Sequence, residues 1–244
     1  MVNRRRVAAI CGSPRAGGTG KKSLTDRFLK AFLDGFSPVK SCIFYPHRMK
    51  IAYCTGCYTC WLKTPGVCAI SDDMAQVNEE MQEADLIILA SPVYADGFSA
   101  QMKTVLDRGI SRYSPYITLD RDGHCRHEPL KQKKPQALLI STCGLAETDN
   151  FDVIKSHFAA TCRNSFWENA GEILIPASAR GSLPGGYDAE LAAVKEAGAE
   201  LAEVNRISPG TWQKIFGEKA DASEYAESVN AFFQKLILSN EKNH

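Results

Sequence analysis

Short apolar runs alternate along the chain with stretches whose apolar residues recur at helical spacing. The runs 6–11, 39–45, 85–90, 137–142 and 172–177 predict five strands. Runs 85–90 and 137–142 show no alternation of apolar and polar residues, which is typical of strands covered on both faces. The chain is therefore predicted to bury its strands inside a layered α/β structure.

Helical spacing marks the intervening segments. Leu24, Phe28, Phe32 and Phe36 define the buried face of a first helix, and further helices are predicted over 71–84, 99–112 and 151–167. Strands that alternate with helices predict right-handed crossovers and a parallel sheet. Periodicity does not fix strand order, but five such strands suggest the doubly wound, flavodoxin-like α/β fold with order 2-1-3-4-5.

Beyond residue 177 the pattern becomes helical. One helix is marked by Leu191, Val194 and Leu201, and another by Tyr225, Phe232 and Phe233, with a connection over 207–222. We expect residues 1–205 to form the main domain and 206–244 a C-terminal helical extension of it. The apolar residues of the last helix exceed what a lone appendage needs, which favours a homodimer.

Composition narrows the classes of function. A net charge of +1 gives no reason to expect nucleic acid as a partner, and no apolar run approaches the ~20 residues of a membrane span. The first apolar run is too short for a secretion signal. With nine cysteines and no such signal, a disulfide framework is not expected; the chain is predicted to be cytoplasmic, with cysteines that bind metal or do redox chemistry.

A glycine-rich turn follows the first strand and feeds a helix. It reads Gly-Ser-Pro-Arg-Ala-Gly-Gly-Thr-Gly-Lys-Lys-Ser over 12–23. Free N–H groups at a helix start attract phosphate, and glycines allow close approach. The spacing fits neither a Walker A loop nor G-x-G-x-x-G. The turn therefore predicts a phosphate site, and an ordinary flexible turn is the alternative.

A second candidate loop follows the third strand. Residues 91–100 read Ser-Pro-Val-Tyr-Ala-Asp-Gly-Phe-Ser-Ala, where an open α/β sheet places its ligand crevice. Pro92 stiffens the backbone and Gly97 loosens it, while Tyr94 and Phe98 offer aromatic surface for a flat ring. The alternative is that these aromatic side chains only cover the end of the sheet.

Taken in order, these motifs resemble a known family. The motifs are Gly-Ser-Pro-Arg at 12–15, a four-cysteine stretch over 54–68 followed by Asp72-Asp73-Met74, and Ser-Pro-Val-Tyr at 91–94 running on to Lys103 and Asp107-Arg108. They resemble the NADPH-dependent FMN reductase-like flavoproteins, and most of all their iron–sulfur flavoprotein branch. The resemblance covers roughly residues 6–180. It implies a flavodoxin-like fold, bound FMN and a dimer.

The resemblance also implies residue roles. For the FMN phosphate it implies Ser13, Arg15, Gly18, Thr19 and Gly20; for the flavin ring it implies Pro92, Val93, Tyr94 and Gly97, with Thr142 and Gly144 completing the pocket. The chain departs from the family at one point. Thr19-Gly20 followed by two lysines stands where the family usually has Asn-Thr. One hydroxyl contact is therefore in doubt, and a lysine is the candidate substitute.

Four cysteines crowd into one short segment with the spacing C-x2-C-x2-C-x7-C. They are Cys54, Cys57, Cys60 and Cys68. Compact C-x2-C-x2-C runs are characteristic of [4Fe–4S] ligation, whereas structural zinc more often uses two separated pairs. A cluster, a zinc ion and free redox-active thiols all stay open at this point.

Two weaker signals are interpreted as surface features. His124-Cys125-Arg126-His127 lies in a long polar connection, 114–134, which is predicted to be a solvated loop or a lid. Asp107-Arg108 near a helix end is predicted to form an exposed or interface ion pair.

Three functions follow from this interpretation. The first is an FMN-dependent NAD(P)H oxidoreductase that passes electrons through the flavin to a small acceptor, with no protein acid or base named, because the flavin carries the chemistry. The second is an electron carrier that links a ferredoxin-type redox protein, through a [4Fe–4S] cluster, to FMN. The third is a redox sensor whose cysteines respond to oxidant.

Overall fold

A parallel sheet forms the centre of the computed structural model, which describes residues 5–18, 23–37, 40–179, 186–217 and 221–241. Its strands are β1 (Arg6–Cys11), β2 (Lys40–Phe44), β3 (Leu86–Tyr94), β7 (Gln136–Thr142) and β8 (Glu168–Ile175). Their spatial order is β2-β1-β3-β7-β8, with every neighbouring pair parallel. The predicted order 2-1-3-4-5 of a flavodoxin-like fold is confirmed.

Helices cover both faces of this sheet. The helices of the described residues are α1 (Leu24–Gly35), α2 (Thr59–Leu62), α3 (Met74–Glu83), α4 (Ala100–Arg108), α5 (Asp152–Ser165), α6 (Asp188–Val204), α7 (Pro209–Phe216) and α8 (Ala222–Glu241), of which α1, α6 and α7 cover one face and α3, α4 and α5 the other. Because strand residues alternate between faces, the core divides in two. Ala9 and Ile88 pack with α1 and α6, whereas Ala8 and Ile87 pack with α3, α4 and α5.

The packing of α1 against α6 depends on a glycine. A Cβ at Gly198 would lie 2.1 Å from the backbone oxygen of Phe32, so only glycine permits this approach. Close contact in turn buries Phe28, Phe32 and Leu201 completely. The predicted apolar face of the first helix therefore meets a helix from the C-terminal part of the chain.

The connection predicted as a long polar loop is a β-hairpin. Strands β5 (Tyr113–Leu119) and β6 (Cys125–Pro129) pair antiparallel, and Gly123 turns the chain with φ of +80°. The Asp120 side chain accepts backbone N–H groups from Asp122 and His124 at 3.0 and 2.9 Å. An Asp-Gly turn of this kind is a hairpin signal that the polar composition concealed.

Several boundaries also differ from the predictions. The last strand begins at Glu168, earlier than the predicted 172, and β3 runs on to Tyr94. The connection predicted over 207–222 contains α7, because Ser208 caps it through the Thr211 amide and Pro209 occupies its first turn. Ile215 of this helix is buried in the core. The division of the chain at residue 206 stays a prediction.

Helix α8 differs from the others in its surroundings. Its apolar side chains are exposed, with Phe233 53% and Ile237 57% accessible. At its start, the Tyr225 hydroxyl donates to the Gly144 oxygen at 2.6 Å and accepts the Ala179 amide at 3.2 Å. In the part of the chain that the structure describes, no helix combines the length and apolarity needed to cross a bilayer.

Candidate functional site

The carboxyl ends of β1, β3 and β7 meet at one edge of the sheet. The Gly12 amide, directly after β1, donates to the Ala90 oxygen at 2.8 Å. In return the Ser99 hydroxyl donates to the Gly12 oxygen at 2.7 Å, and its oxygen also caps α4. A Cβ at Gly12 would lie 2.7 Å from Ser99 Oγ. Glycine at position 12 therefore lets the loop after β1 lie directly against the loop after β3.

The predicted phosphate loop lies between β1 and α1. Ser13 is buried, and its hydroxyl accepts a hydrogen bond from the hydroxyl of Ser23, the N-cap of α1, at 2.9 Å. Arg15 is exposed at the tip of the turn, and Gly17 has φ of +68°. Gly18 is exposed at the end of the described part of the loop. Thr19 and Gly20 lie outside the described residues.

Sequence reasoning missed a cation beside this loop. Arg48 ends a short 3-10 helix, Pro46–Arg48, that follows β2. A Cβ at Gly17 would lie 3.0 Å from Arg48 Cζ, and one at Gly18 would lie 3.8 Å from Arg48 Nη2. The guanidinium therefore rests on the backbone of both glycines. No motif marks Arg48, because it comes from a different crossover of the chain.

The loop after the third strand folds back as a tight hairpin. Strand β4 (Gly97–Phe98) pairs antiparallel with the end of β3, with Val93 opposite Phe98. Ala95 and Asp96 form its tip with φ of +44° and +62°. Backbone in this left-handed region is costly for residues with a Cβ, and such strain concentrates at functional sites.

The predicted ring residues line up along this hairpin. Pro92 is buried, Val93 and Gly97 are half-buried, and Tyr94 is 44% exposed. The exposed Tyr94 ring stands beside the strained tip, where it is free to contact a flat ligand.

The third part of this edge is the end of β7. Thr142 is paired with Pro92 across the sheet, and its hydroxyl is hydrogen-bonded to that of Thr25 in α1 at 2.8 Å. Gly144 is exposed, and its oxygen accepts the Tyr225 hydroxyl described above. The structure thus brings Thr142 and Ser13 to the same end of the sheet, both linked to the first turn of α1.

The four cysteines of the predicted metal segment line one cavity of about 70 Å³. Cys60 is buried, Cys54 and Cys68 are half-buried, and Cys57 is exposed. Burial, together with the charges of the other three thiols, raises the pKa of Cys60. Across the described ranges, no set of three or more His, Cys, Asp or Glu side chains is arranged to hold a metal ion. The cysteines share a cavity without converging on a single point.

The exposed thiol of the set has a different environment. Hydrogen bonds from the hydroxyl and amide of Thr59, and from the hydroxyl of Thr55, lower the pKa of Cys57. A thiol with a lowered pKa and solvent access is more readily deprotonated, which favours both metal ligation and reaction with oxidants.

Arg108 is not the exposed ion-pair residue that the sequence predicted. Its side chain is 1% exposed and forms a bidentate pair with Asp72, with Nη1–Oδ2 and Nη2–Oδ1 distances of 2.8 and 2.9 Å. Asp107, in contrast, pairs with Lys103 on the surface of α4. Burial raises the pKa of Asp72, but the hydrogen bonds from Arg108 and from two backbone amides outweigh it, so the pKa is lowered.

The structure also contains a large open groove away from these loops. Its volume is about 1020 Å³, and it lies between β8 and α7, with Trp212 and Phe216 stacked in its wall. It includes none of the predicted site residues.

The strand order and the three convergent loops define a flavodoxin-like protein whose candidate ligand cleft lies at the carboxyl ends of the strands. Its sequence matches the model of the NADPH-dependent FMN reductase family over residues 5–150, and the chain belongs to this family. The predicted family resemblance is thereby confirmed.

Individual relatives are similar over part of their length. An iron-sulfur flavoprotein of Archaeoglobus fulgidus is 42% identical over 103 residues, which cover 42% of this chain and 44% of the relative. The chain spans about half the length of the curated relatives it matches.

Solved structures show the same fold at low identity. A putative quinone reductase from Klebsiella pneumoniae superposes with a TM-score of 0.64 at 15% identity, covering 85% of this chain and 93% of that one. An FMN-dependent NADH-azoreductase from Bacillus anthracis, in complex with FMN, gives a TM-score of 0.60 at 14% identity, covering 82% and 100%.

Proposed function

We propose that this protein is an FMN-dependent NAD(P)H oxidoreductase. One observation carries the proposal: the phosphate loop, the β3–β4 hairpin and the end of β7 converge at the edge where an open α/β sheet binds its ligand. Bound FMN would supply the transfer of electrons from a reduced nicotinamide to a small-molecule acceptor. Family membership supports FMN as the cofactor.

We infer that the residues of this edge would bind FMN. Arg48 rests on the backbone of Gly17 and Gly18, which places a positive charge beside a turn that leads into a helix N-terminus. Loop residues would hold the phosphate, and strand-end residues would hold the ring. The phosphate would be bound by Ser13, Arg15, Gly18, Thr19, Gly20 and Arg48, and the ring by Pro92, Val93, Tyr94, Gly97, Thr142 and Gly144.

The chain's own groups would position the ring rather than exchange protons with it. Pro92 and Thr142 are paired in neighbouring strands, so they would hold the ring against rigid backbone. Tyr94 is exposed and would contact the ring, which would limit solvent access to it.

Two measurements test this proposal. Flavin extracted from the purified protein is expected to be FMN, and steady-state oxidation of NADH or NADPH should depend on it. Recovery of FAD, or no binding after incubation with FMN, would contradict the cofactor assignment. FMN bound without any NAD(P)H oxidation would contradict the enzyme and leave an electron carrier.

The cysteine cavity supports a second function, electron transfer through an iron–sulfur cluster. Four thiols line one cavity, and the iron–sulfur flavoprotein relative supports the same assignment. Cys54, Cys57, Cys60 and Cys68 would be the ligands of a [4Fe–4S] cluster, which would supply one-electron transfer. A redox protein of the ferredoxin type would then be the donor.

Metal analysis distinguishes the alternatives for this segment. Anaerobic protein with a cluster should contain about four irons and four sulfides per chain. Cys60→Ser should lower that content while FMN stays bound, whereas Cys125→Ser on the surface hairpin is the matched control. About one zinc per chain would indicate a structural site instead, and no metal after reconstitution would leave free thiols that respond to oxidant.

Helix α8 supports the proposal of a homodimer. Phe232, Phe233 and Ile237 are exposed on it, whereas Tyr225 is held within its own chain. An apolar strip of this kind favours a two-fold pairing with a second copy. Light scattering at micromolar concentration should give a dimer that Phe233→Glu weakens and that Ala231→Glu, on the opposite face of the helix, leaves intact. A monomeric wild-type protein would contradict the proposal.

A further inference from the structure

A single buried side chain, that of Arg108, is hydrogen-bonded to the backbone at both ends of the cysteine segment, residues 52–72. Arg108 Nη1 donates to the Ala52 oxygen at 2.7 Å, and Nη2 donates to the Ile70 oxygen at 3.3 Å. Ala52 lies two residues before Cys54, and Ile70 two residues after Cys68. One guanidinium therefore bridges the entry and the exit of the segment.

Asp72 closes this arrangement. Its carboxylate pairs with Arg108 through both oxygens and also accepts the Ala52 amide at 2.9 Å. The backbone at residue 52 is thus held by both partners of one ion pair. Because the pair is fork-to-fork, it fixes orientation as well as distance. The segment between residues 52 and 72 otherwise contains only the four-residue helix α2 as regular structure.

The same guanidinium borders the cysteines. Arg108 lines the cavity with all four thiols. Burial lowers its pKa, but the hydrogen bonds to Asp72 and the negative charges of Cys68 and Asp72 outweigh this effect, so the pKa is raised. Arg108 Nε is buried and has no hydrogen-bond partner in the part of the chain that the structure describes. A buried donor of this kind is costly unless an acceptor completes it.

We propose that Arg108 is a positioning residue for a thiolate-bound iron–sulfur cluster: it holds the four cysteines in one cavity and donates an N–H group to the sulfur of Cys68. This inference rests on the proposed cluster. A fixed cation and a donor beside a ligand sulfur stabilise the more negative, reduced state, and so raise the reduction potential.

Arg108→Lys tests the proposal because it keeps the charge but loses the planar fork. Under anaerobic challenge with an iron chelator, the variant should lose iron about tenfold or more faster than the wild type, in the range found when partners of metal ligands are removed. Its cluster should also have a lower midpoint potential. The dissociation constant for FMN reports folding and should not change.

Arg112→Lys is the matched control. Arg112 is also buried, four residues along, but it contacts Met81 and Trp167 and does not line the cysteine cavity. It should leave iron retention and potential unchanged. If the Arg108→Lys variant fails to bind FMN, it is unfolded and Asp72→Asn takes its place in the test. Asp72→Asn weakens the same Arg108–Asp72 ion pair and should change iron retention in the same direction.

The outcomes separate the two proposals. If the wild type holds iron and both variants match it in iron retention and midpoint potential, the role of Arg108 is overturned. The cluster assignment is then intact. Wild-type protein that takes up no iron would overturn both.

Discussion

The phosphate loop and the cysteine segment adjoin opposite ends of the same helix, α4, yet different chemistry holds them. At the start of α4, Ser99 ties the phosphate loop through neutral hydroxyl and backbone groups. At its end, Arg108 ties the cysteine segment through a buried ion pair. Neutral networks lose little when one bond is removed, whereas a buried charge that loses its partner is strongly destabilising. The two sites should therefore respond very differently to substitution and to pH.

The largest expected effect is at the ion pair. Asp72→Ala leaves the Arg108 guanidinium buried without its partner, and should lower the free energy of unfolding by about 3–5 kcal/mol. Urea denaturation followed by circular dichroism measures this. Asp73→Ala is the control, because the Asp73 carboxylate is exposed and accepts a single hydrogen bond within the described residues, from the Lys50 amide. Equal losses in the two variants would show that the pair is not the main support of the segment.

The next largest effect is on the affinity for FMN of variants at the phosphate loop. Arg48→Ala should weaken FMN binding by about 1.5–3 kcal/mol, as for the loss of a hydrogen bond to a charged group. Arg15→Ala is expected to have an effect in the same range. Arg121→Ala, in the turn of the β5–β6 hairpin, should leave FMN binding unchanged. Fluorescence titration of the apoprotein gives all three constants. An unchanged dissociation constant for Arg48→Ala or Arg15→Ala would show that the substituted arginine does not contribute to FMN binding.

A smaller effect is expected in the neutral network. Thr142→Val keeps the shape of the side chain but leaves the buried Thr25 hydroxyl without its partner. The free energy of unfolding should fall by about 1–2 kcal/mol, within the cost of a buried polar group left unpaired. Thr118→Val on the surface hairpin is the control. A decrease in the free energy of unfolding as large as that of Asp72→Ala would show that the two sites do not differ in their response to substitution.

The smallest effect is a change with pH. The pKa of Asp72 is lower in the folded protein than the unfolded value of about 3.9, so its stabilisation is present above that value and is lost as pH falls below it. The difference in stability between wild type and Asp72→Asn should therefore be constant near neutral pH and shrink below about pH 4. The difference for Thr142→Val should not depend on pH, because neither hydroxyl titrates there.

Most of the sheet could be predicted, because a buried parallel strand must be continuously apolar. The predicted run 137–142 lies within β7, and the run 6–11 coincides with β1. Boundaries were less accurate at the edge strand, where Glu168, Asn169 and Ala170 belong to β8 without an apolar pattern. A strand with one neighbour meets fewer packing demands than a central one.

Long-range contacts explain what the sequence could not predict about the site. Arg48 reaches the phosphate loop from another crossover, so no local spacing marks it. A weak signal did exist for Arg108, since Met102, Val105 and Arg108 recur every third residue and all three are buried. An arginine on the apolar face of a helix must find a buried partner, but the sequence does not say which carboxylate provides it.

The bridging position of α4 has a consequence for folding. Its N-cap, Ser99, is bonded to position 12 and its last residue, Arg108, to positions 52 and 72, so neither candidate site is complete until contacts far apart in sequence have formed. Contacts of this range carry a large loop-closure cost and tend to form late. We expect the backbone amides of both loops to gain protection from hydrogen exchange in one step, when this nine-residue helix docks on the sheet.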